Sequence, residues 1–126
     1  MPWANPKTNF TPDDYIAPWH INRYVSCITY LHDEIVERGG SFFMYPGIST
    51  INTDYSTVLV GNDFERIEMA LFRCAQAVCA SPLNCPVNYF PRYKAYGILG
   101  TARTPDCYRL NDIGRAIINI YNFLQT

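Results

Sequence analysis

Three segments of this chain share one pattern, in which a Tyr-bearing turn precedes a short string that ends in arginine. The strings are His20-Ile21-Asn22-Arg23, Asp63-Phe64-Glu65-Arg66 and Asp112-Ile113-Gly114-Arg115. Each string follows a cluster of threonine, aspartate and tyrosine, at residues 11–15, 53–55 and 104–108. A threefold unit of this kind constrains the fold to three similar elements, and it favours a scaffold over a catalyst.

Apolar residues recur at helical spacing in each of the three segments. The three stripes are Ile21, Val25, Ile28, Leu31 and Ile35; Phe64, Ile67, Leu71, Cys74 and Val78; and Ile113, Ile117, Ile120 and Phe123. Pro18 suits a first helical turn, Gly39 and Gly40 end the first helix, and Asn62 and Asn111 are expected to cap the second and third. The sequence predicts a mainly α fold, with helices at residues 18–38, 62–80 and 111–125.

The length of 126 residues predicts a single small domain, because two independent cores need a longer chain. Three amphipathic helices bury their stripes most simply in a three-helix arrangement. Residues 1–17 hold several prolines and are predicted to form an extended N-terminal arm. Long aromatic-rich connections join the helices. Residues 42–60 allow a short hairpin, although a packed loop is favoured because isolated short hairpins are marginal.

The arginine of each repeat is interpreted as part of a helix start. Asp63 with Arg66, and Asp112 with Arg115, are three residues apart and form pairs on one side of a helix. In the first copy His20 replaces the aspartate, so Arg23 is expected to find another acceptor or solvent. These pairs are predicted to be structural, in preference to a role in binding a partner.

Aromatic residues in the two long connections are the candidate interface or ligand surface. Aromatics make up 15% of the chain and include ten tyrosines, while charged residues reach only 17%. Tyrosine supplies a large contact area with a polar tip, as in many interfaces. The candidates are Phe42, Phe43 and Tyr45 in the first connection, and Tyr89, Phe90, Tyr93 and Tyr96 in the second.

The second repeat resembles a known family. Asn62-Asp63-Phe64-Glu65-Arg66-Ile67-Glu68, after its Tyr-bearing turn, is similar to the helical element of small virion-associated proteins encoded in the tail and tail-fibre region of phages and prophages of Gram-positive bacteria. Their motif is approximately Asp-Leu-Asn-Arg-Ile-Glu before an apolar helix, often repeated. Residues 11–31 and 104–124 resemble diverged copies that lack the trailing Ile-Glu. The resemblance implies a structural or adhesion-related virion component, in the virion after synthesis in the host cytoplasm.

Charge and residue types argue against several other classes of function. The net charge of −1 provides no positive field for nucleic acid, and no apolar run is long enough for a membrane span. The two histidines are twelve residues apart on one predicted helix and cannot share a metal there. The five cysteines are interpreted as small buried apolar residues. We therefore expect no catalytic residues, metal, cofactor, nucleic-acid partner or membrane partner.

Two functional hypotheses remain from the sequence. In the first, the chain is a non-enzymatic structural subunit of a phage tail, baseplate, neck or fibre that forms homo-oligomers and binds other virion proteins. Its contacts would be the aromatic loops, together with the N-terminal arm reaching onto a neighbour. In the second, the Tyr-rich loops form a small recognition module for a carbohydrate, such as one on the host surface, or for another protein.

Overall fold

The fold consists of three α-helices. A computed structural model describes residues 3–14, 17–42, 61–90 and 107–126. It contains α1 (Pro18–Glu37), α2 (Gly61–Cys79) and α3 (Cys107–Leu124), and no strand occurs within those four ranges. The predicted mainly α, three-helix fold is confirmed. The hairpin considered for residues 42–60 falls almost entirely outside the described residues.

Helix α1 begins and ends where its sequence predicts. Pro18 occupies the first turn, where its missing N–H has no helical partner to lose. Just before it, the backbone N–H of Ala17 donates to Nδ1 of His20 at 2.9 Å. At the other end Gly39 has a φ of 88°, and the N–H of Gly40 donates to the carbonyl of Ile35 at 2.8 Å. This left-handed glycine closes the helix.

Helix α3 begins four residues before its predicted cap, and the prediction that Asn111 caps it is wrong. Asn111 lies inside the helix and is buried. Its Oδ1 accepts from the N–H of Phe10 at 2.7 Å, and its Nδ2 donates to the carbonyl of Phe10 at 3.0 Å. Leu110, one residue earlier, is fully buried and extends the apolar stripe towards the start of the helix. Asn111 therefore binds the backbone of a distant segment of the chain, at Phe10, and does not cap its own helix.

The three apolar stripes meet in one core. Every pair of helices is in contact, and the buried side chains form a single cluster. Its fully buried members with the largest side chains are Tyr24, Ile21, Ile28, Leu31, Ile35, Ile67, Leu71, Leu110, Ile113, Ile117 and Ile120. Burying each such side chain contributes about 1.5–3 kcal/mol, so this cluster is the main source of stability.

The N-terminal arm packs along α1 and α3 of its own chain. Trp3 stacks on Tyr121 with ring centroids 3.9 Å apart, and its ring lies 5.3 Å from that of Tyr30. Seven residues later, the side chain of Phe10 is buried in the core next to the ring of His20. The arm is therefore an extended fourth element of the domain.

The contacts of the arm show that α1 and α3 run in the same direction. As the arm advances from Trp3 to Phe10, its partners move from the C-terminal to the N-terminal half of both helices. Near the N-terminal ends, Glu68 of α2 pairs with Arg109 of α3. At the other end, Gly39 lies beside Pro82. All three helices thus point the same way.

Candidate functional site

The first candidate site is the arm groove, defined as the surface between α1 and α3 that holds residues 3–10. Two side chains of α1 form hydrogen bonds to the backbone of the arm. Nη1 of Arg23 donates to the carbonyl of Asn5 at 3.1 Å, and the thiol of Cys27 donates to the carbonyl of Ala4 at 3.3 Å. Because these bonds are to main-chain carbonyls, they fix the position of the arm, and they do not depend on the identity of its side chains.

Gly114 provides the opposite wall of the arm groove. A Cβ atom at this position would lie 2.7 Å from the carbonyl oxygen of Lys7 and 3.0 Å from Cγ2 of Thr8. Glycine lowers helix propensity by about 1 kcal/mol relative to alanine, so its position here reflects the close approach of the arm. Gly114, the glycine of the third repeat, is thus part of the arm groove.

The charged residues of the repeats have different surroundings in the structure. Arg23 finds the acceptor predicted for it in Asn5, and its guanidinium also lies over the ring of Trp19 at 5.6 Å. Nη2 of Arg115 donates to Oδ1 of Asp112 at 2.6 Å, which confirms this pair. The pair lies in the middle of α3, however, so the interpretation as a helix-start pair is wrong.

The pair in the second repeat is only partly described. Arg66 is half-buried, whereas the side chain of Asp63 lies outside the described part of the chain. Its pairing with Arg66 stays a prediction.

The predicted aromatic surface divides into four groups. Phe90 belongs to the buried core cluster and also lines the pocket described below, so its place in a ligand surface stays a prediction. Phe42 packs against the core and stacks on His32 with centroids 4.8 Å apart. Tyr89 is half-buried and lines a pocket. The remaining candidates, Phe43, Tyr45, Tyr93 and Tyr96, lie outside the described residues.

The second candidate site is the Tyr89 pocket, an open pocket of about 410 Å³ between the second connection and α3. It brings together two groups that the sequence analysis treated separately, the aromatic connection and the charged pair of the third repeat. Its lining residues are Tyr89, Phe90, Arg109, Asp112, Arg115, Ala116 and Asn119. The pocket therefore combines one aromatic wall with several hydrogen-bonding side chains.

A buried ion pair supports this pocket. The carboxylate of Glu68 is fully buried in α2 and pairs with the guanidinium of Arg109, which is mostly buried and lies over the ring of Phe90 at 4.6 Å. The sequence patterns did not predict this pair. A signal was present, because Glu68 interrupts the apolar stripe between Ile67 and Leu71, where a charged residue needs a partner.

His20 has a structural role at the start of α1. Its Nδ1 accepts the N–H of Ala17, so this nitrogen carries no proton and the ring is neutral. Burial, followed by the positive charge of Lys7, holds the pKa of His20 below its usual value. The replacement of aspartate by histidine in the first repeat is thus accounted for by this bond.

The cysteines are free thiols, and three of the five are buried. Burial raises the pKa of Cys27 to about 11 and raises the pKa of Cys74 further. A thiol with a raised pKa is a poor nucleophile. Cys27, Cys74 and Cys85 fit the interpretation as small apolar core residues, whereas Cys79 and Cys107 are half-buried. No cluster of three metal-ligating side chains is found among the residues the structure describes.

No protein-family model, curated protein or solved structure matches this chain. The resemblance to virion-associated proteins therefore stays a prediction based on the sequence motif. Within the described ranges, none of the helices has the length and apolar character needed to cross a membrane.

Proposed function

We propose that this chain is a non-enzymatic structural subunit of a phage virion, in the tail, baseplate, neck or fibre, and that copies join by arm exchange. In arm exchange, residues 3–10 of one copy occupy the arm groove of the next. The observation that carries the proposal is how the arm is held. It is one extended segment, which is bound through its backbone by hydrogen bonds and packed against the helices by Trp3 and Phe10 at its two ends.

An empty arm groove would be unstable. Without the arm, Asn111 would lose both hydrogen bonds to Phe10, and the core would lose the buried Phe10 ring. Unsatisfied polar groups cost about 1–3 kcal/mol each. The groove is therefore filled either by its own arm or by that of a neighbour, with the same contacts in both cases.

The link between the arm and α1 decides between these two states. Thr11 to Asp14 form an exposed turn, in which the N–H of Thr11 donates to Oδ2 of Asp14 at 2.8 Å. The exposed ion pair between Lys7 and Asp14, at 3.8 Å, contributes little. Within residues 11–14, opening the turn breaks few contacts, so we expect a high local concentration of subunits to favour exchange.

Aromatic side chains provide further surface for other virion proteins. Trp19 is 54% exposed near the start of α1, and Tyr108 is 68% exposed at the start of α3. The two helix starts lie together, because the hydroxyl of Tyr24 donates to the carbonyl of Leu110 at 3.1 Å. Large exposed aromatics at one end of a domain are typical anchors of protein interfaces.

Arm exchange is tested by mixing two forms of the full chain under mild oxidation. One form carries Ala4→Cys with Cys27→Ser, and the other is the unaltered chain. Because Cys27 lies under Ala4 of whichever arm fills its groove, we expect a disulfide that joins the two chains, seen as a covalent dimer on non-reducing gels and mapped by mass spectrometry. The reaction oxidises two thiols and reduces an added disulfide reagent, such as oxidised glutathione.

Two controls limit the interpretation of that test. A mixture in which both forms carry Cys27→Ser should give no dimer through the introduced thiol at position 4. The single variant Ala4→Cys, alone and dilute, should close the disulfide within one chain. If the mixed sample yields no joined chains at any concentration, arm exchange is wrong.

The virion assignment has its own test. Purified protein should show concentration-dependent oligomers by light scattering, and the chain should co-purify with phage particles. A chain that stays monomeric and never sediments with particles would contradict the subunit role. The Tyr89 pocket favours a second role for such a subunit, namely recognition of a ligand.

A further inference from the structure

The walls of the Tyr89 pocket are held by contacts that do not depend on a ligand. Arg109 is fixed from behind by the buried carboxylate of Glu68 and packs on the ring of Phe90. Arg115 also donates to Asp112 at 2.6 Å, in a pair whose two side chains are about half exposed. Groups that are already positioned lose little entropy when a ligand binds. Arg109 is thus the preorganised group of the pocket.

The charges of the described lining residues and their partners are balanced. Among these residues the two guanidinium groups, on Arg109 and Arg115, each pair with a carboxylate, on Glu68 and Asp112. An anionic ligand would have to compete with these carboxylates, and a cationic ligand would have to compete with the guanidinium groups. The charge balance therefore favours a neutral ligand.

The lining offers both donors and acceptors. Tyr89 and Asn119 can each donate and accept a hydrogen bond, while Asp112 accepts and Arg115 donates. A hydroxyl group also does both, so a ligand with several hydroxyls can satisfy the whole set. The ring of Tyr89 adds an apolar surface suited to C–H groups. The volume of about 410 Å³ lies within the usual range for small-molecule sites.

We propose that the Tyr89 pocket binds a neutral saccharide. The saccharide hydroxyls bond to Asp112, Arg115 and Asn119, and its apolar face packs on Tyr89. This inference does not depend on arm exchange or on the virion assignment, because the arm groove lies on other surfaces of α1 and α3.

The test is a titration of the full ¹⁵N-labelled chain, followed by NMR, with D-glucose, D-galactose and N-acetylglucosamine as separate probes. We expect at least one neutral sugar to bind with a dissociation constant in the millimolar range and to shift signals of Asp112, Arg115 and Asn119. N-acetylneuraminic acid, which carries a carboxylate, is the contrasting probe and is expected to bind more weakly.

Two pairs of variants separate this pocket from general surface effects. Tyr89→Ser and Asn119→Ala remove lining groups, and each should weaken binding by several-fold to about tenfold. The matched controls are Tyr108→Ser and Asn122→Ala, which change exposed residues that do not line the pocket. Circular dichroism confirms that each variant keeps its helices.

Three results would overturn the proposal. The first is the lack of a response to every neutral sugar, and the second is a set of shifts confined to residues outside the pocket. The third is tighter binding of the acidic sugar than of all the neutral ones, because it would contradict the charge balance.

Discussion

Single residues of α3 decide how the N-terminal arm is held. Asn111 bonds both main-chain groups of Phe10, and Gly114 lets the carbonyl of Lys7 approach the helix. Neither role follows from local sequence, because both partners lie about a hundred residues away in the chain. The sequence supports a cap at Asn111 equally well, since an Asn-Asp pair is typical of a helix start. Only the packing of the arm distinguishes the two roles.

Replacing Gly114 with alanine is expected to destabilise the domain, against the usual trend for helices. Alanine normally stabilises a helix by about 1 kcal/mol relative to glycine. Here its Cβ would push on the backbone of Lys7, and overpacking costs about 1–3 kcal/mol. We expect a net loss of up to about 2 kcal/mol in the free energy of unfolding, measured with urea. Asn122→Ala, at an exposed site of the same helix, should instead be neutral or slightly stabilising. An increase in the free energy of unfolding for both variants would contradict the close contact between Gly114 and Lys7.

His20 is expected to make the stability of the domain depend on pH. Its pKa in the folded state lies below the ordinary histidine value of 6.5, so the unfolded chain takes up a proton first as the pH falls. The contribution of His20 is therefore present above that value and is lost on acidification. His20→Gln, whose amide oxygen can accept the N–H of Ala17, should lose less stability between about pH 7.5 and about pH 5.5 than the unaltered chain.

A substitution at the exposed Asn22 supplies the control for that experiment. Asn22→Gln lies two residues further along α1 and should keep the pH dependence of the unaltered chain, because neither side chain titrates. Urea unfolding at the two pH values gives the comparison. Equal pH dependence in the His20 and Asn22 variants would show that another group is responsible.

At the scale of elements, one buried ion pair couples α2 to α3. Neutralising Glu68 alone is expected to be costly, since Arg109, whose side chain is only 18% exposed, would lose the charge of this fully buried partner. Breaking such a pair costs about 3–5 kcal/mol, while replacing both partners with apolar residues is often neutral. We therefore expect Glu68→Gln to lose about 3 kcal/mol in urea unfolding, and Glu68→Leu combined with Arg109→Met to recover most of it.

The exposed pair on α3 provides a matched control. Asp112→Asn removes a partner of Arg115, and both side chains are about half exposed, at 52% and 56%. An exposed pair contributes less than about 1 kcal/mol, so this variant should change stability little. A similar loss for the Glu68 and Asp112 variants would argue against a special role for burial.

Helix positions were well predicted by the sequence, and helix partners were not. The apolar stripes of α1 and α2 predicted their bounds to within one residue, because burial follows the periodicity of a helix. For α3 the end was predicted within one residue, but the start was set by Leu110 and the arm, which the stripe did not include. The contact between Glu68 and Arg109 depends on how α2 and α3 face each other, which no single-helix pattern encodes.

At the scale of the whole molecule, the arm and the helices should unfold together. Phe10 belongs to the same core cluster as the helices, so loss of the arm and loss of the core are one event. In a Trp19→Phe chain, the emission of Trp3 reports the arm through its stack on Tyr121. We expect its urea midpoint to coincide with that of the far-UV circular dichroism signal, which reports the helices.

An earlier midpoint for Trp3 would contradict this prediction and show that the arm detaches first. The reference is a Trp3→Phe chain, in which the exposed Trp19 is the only tryptophan. Its emission should change less on unfolding, because Trp19 is already largely in contact with water.

The candidate sites were predicted from the sequence only in part. Tyr89 and the pair of Asp112 and Arg115 were identified correctly as residues of interest, because tyrosines in a connection and charges at helical spacing are visible locally. That these residues meet in one pocket was not predicted, since it depends on how Tyr89 and α3 pack against each other. The burial of Phe90 was not predicted for the same reason, because distant partners decide whether a loop aromatic is buried.

The shared direction of the three helices also gives the molecule an electrical polarity. Each helix carries about half a positive charge at its N-terminal end and about half a negative charge at the other. No acidic residue lies in the first turn of α1 or α3, and no basic residue lies in the last turn of any of the three helices. The dipoles of α1 and α3 therefore add without opposing charges in these turns, whereas Asp63 lies in the first turn of α2 and offsets part of its dipole. Two copies placed with opposite helix ends together would therefore have weakly complementary ends, and added salt would reduce that attraction.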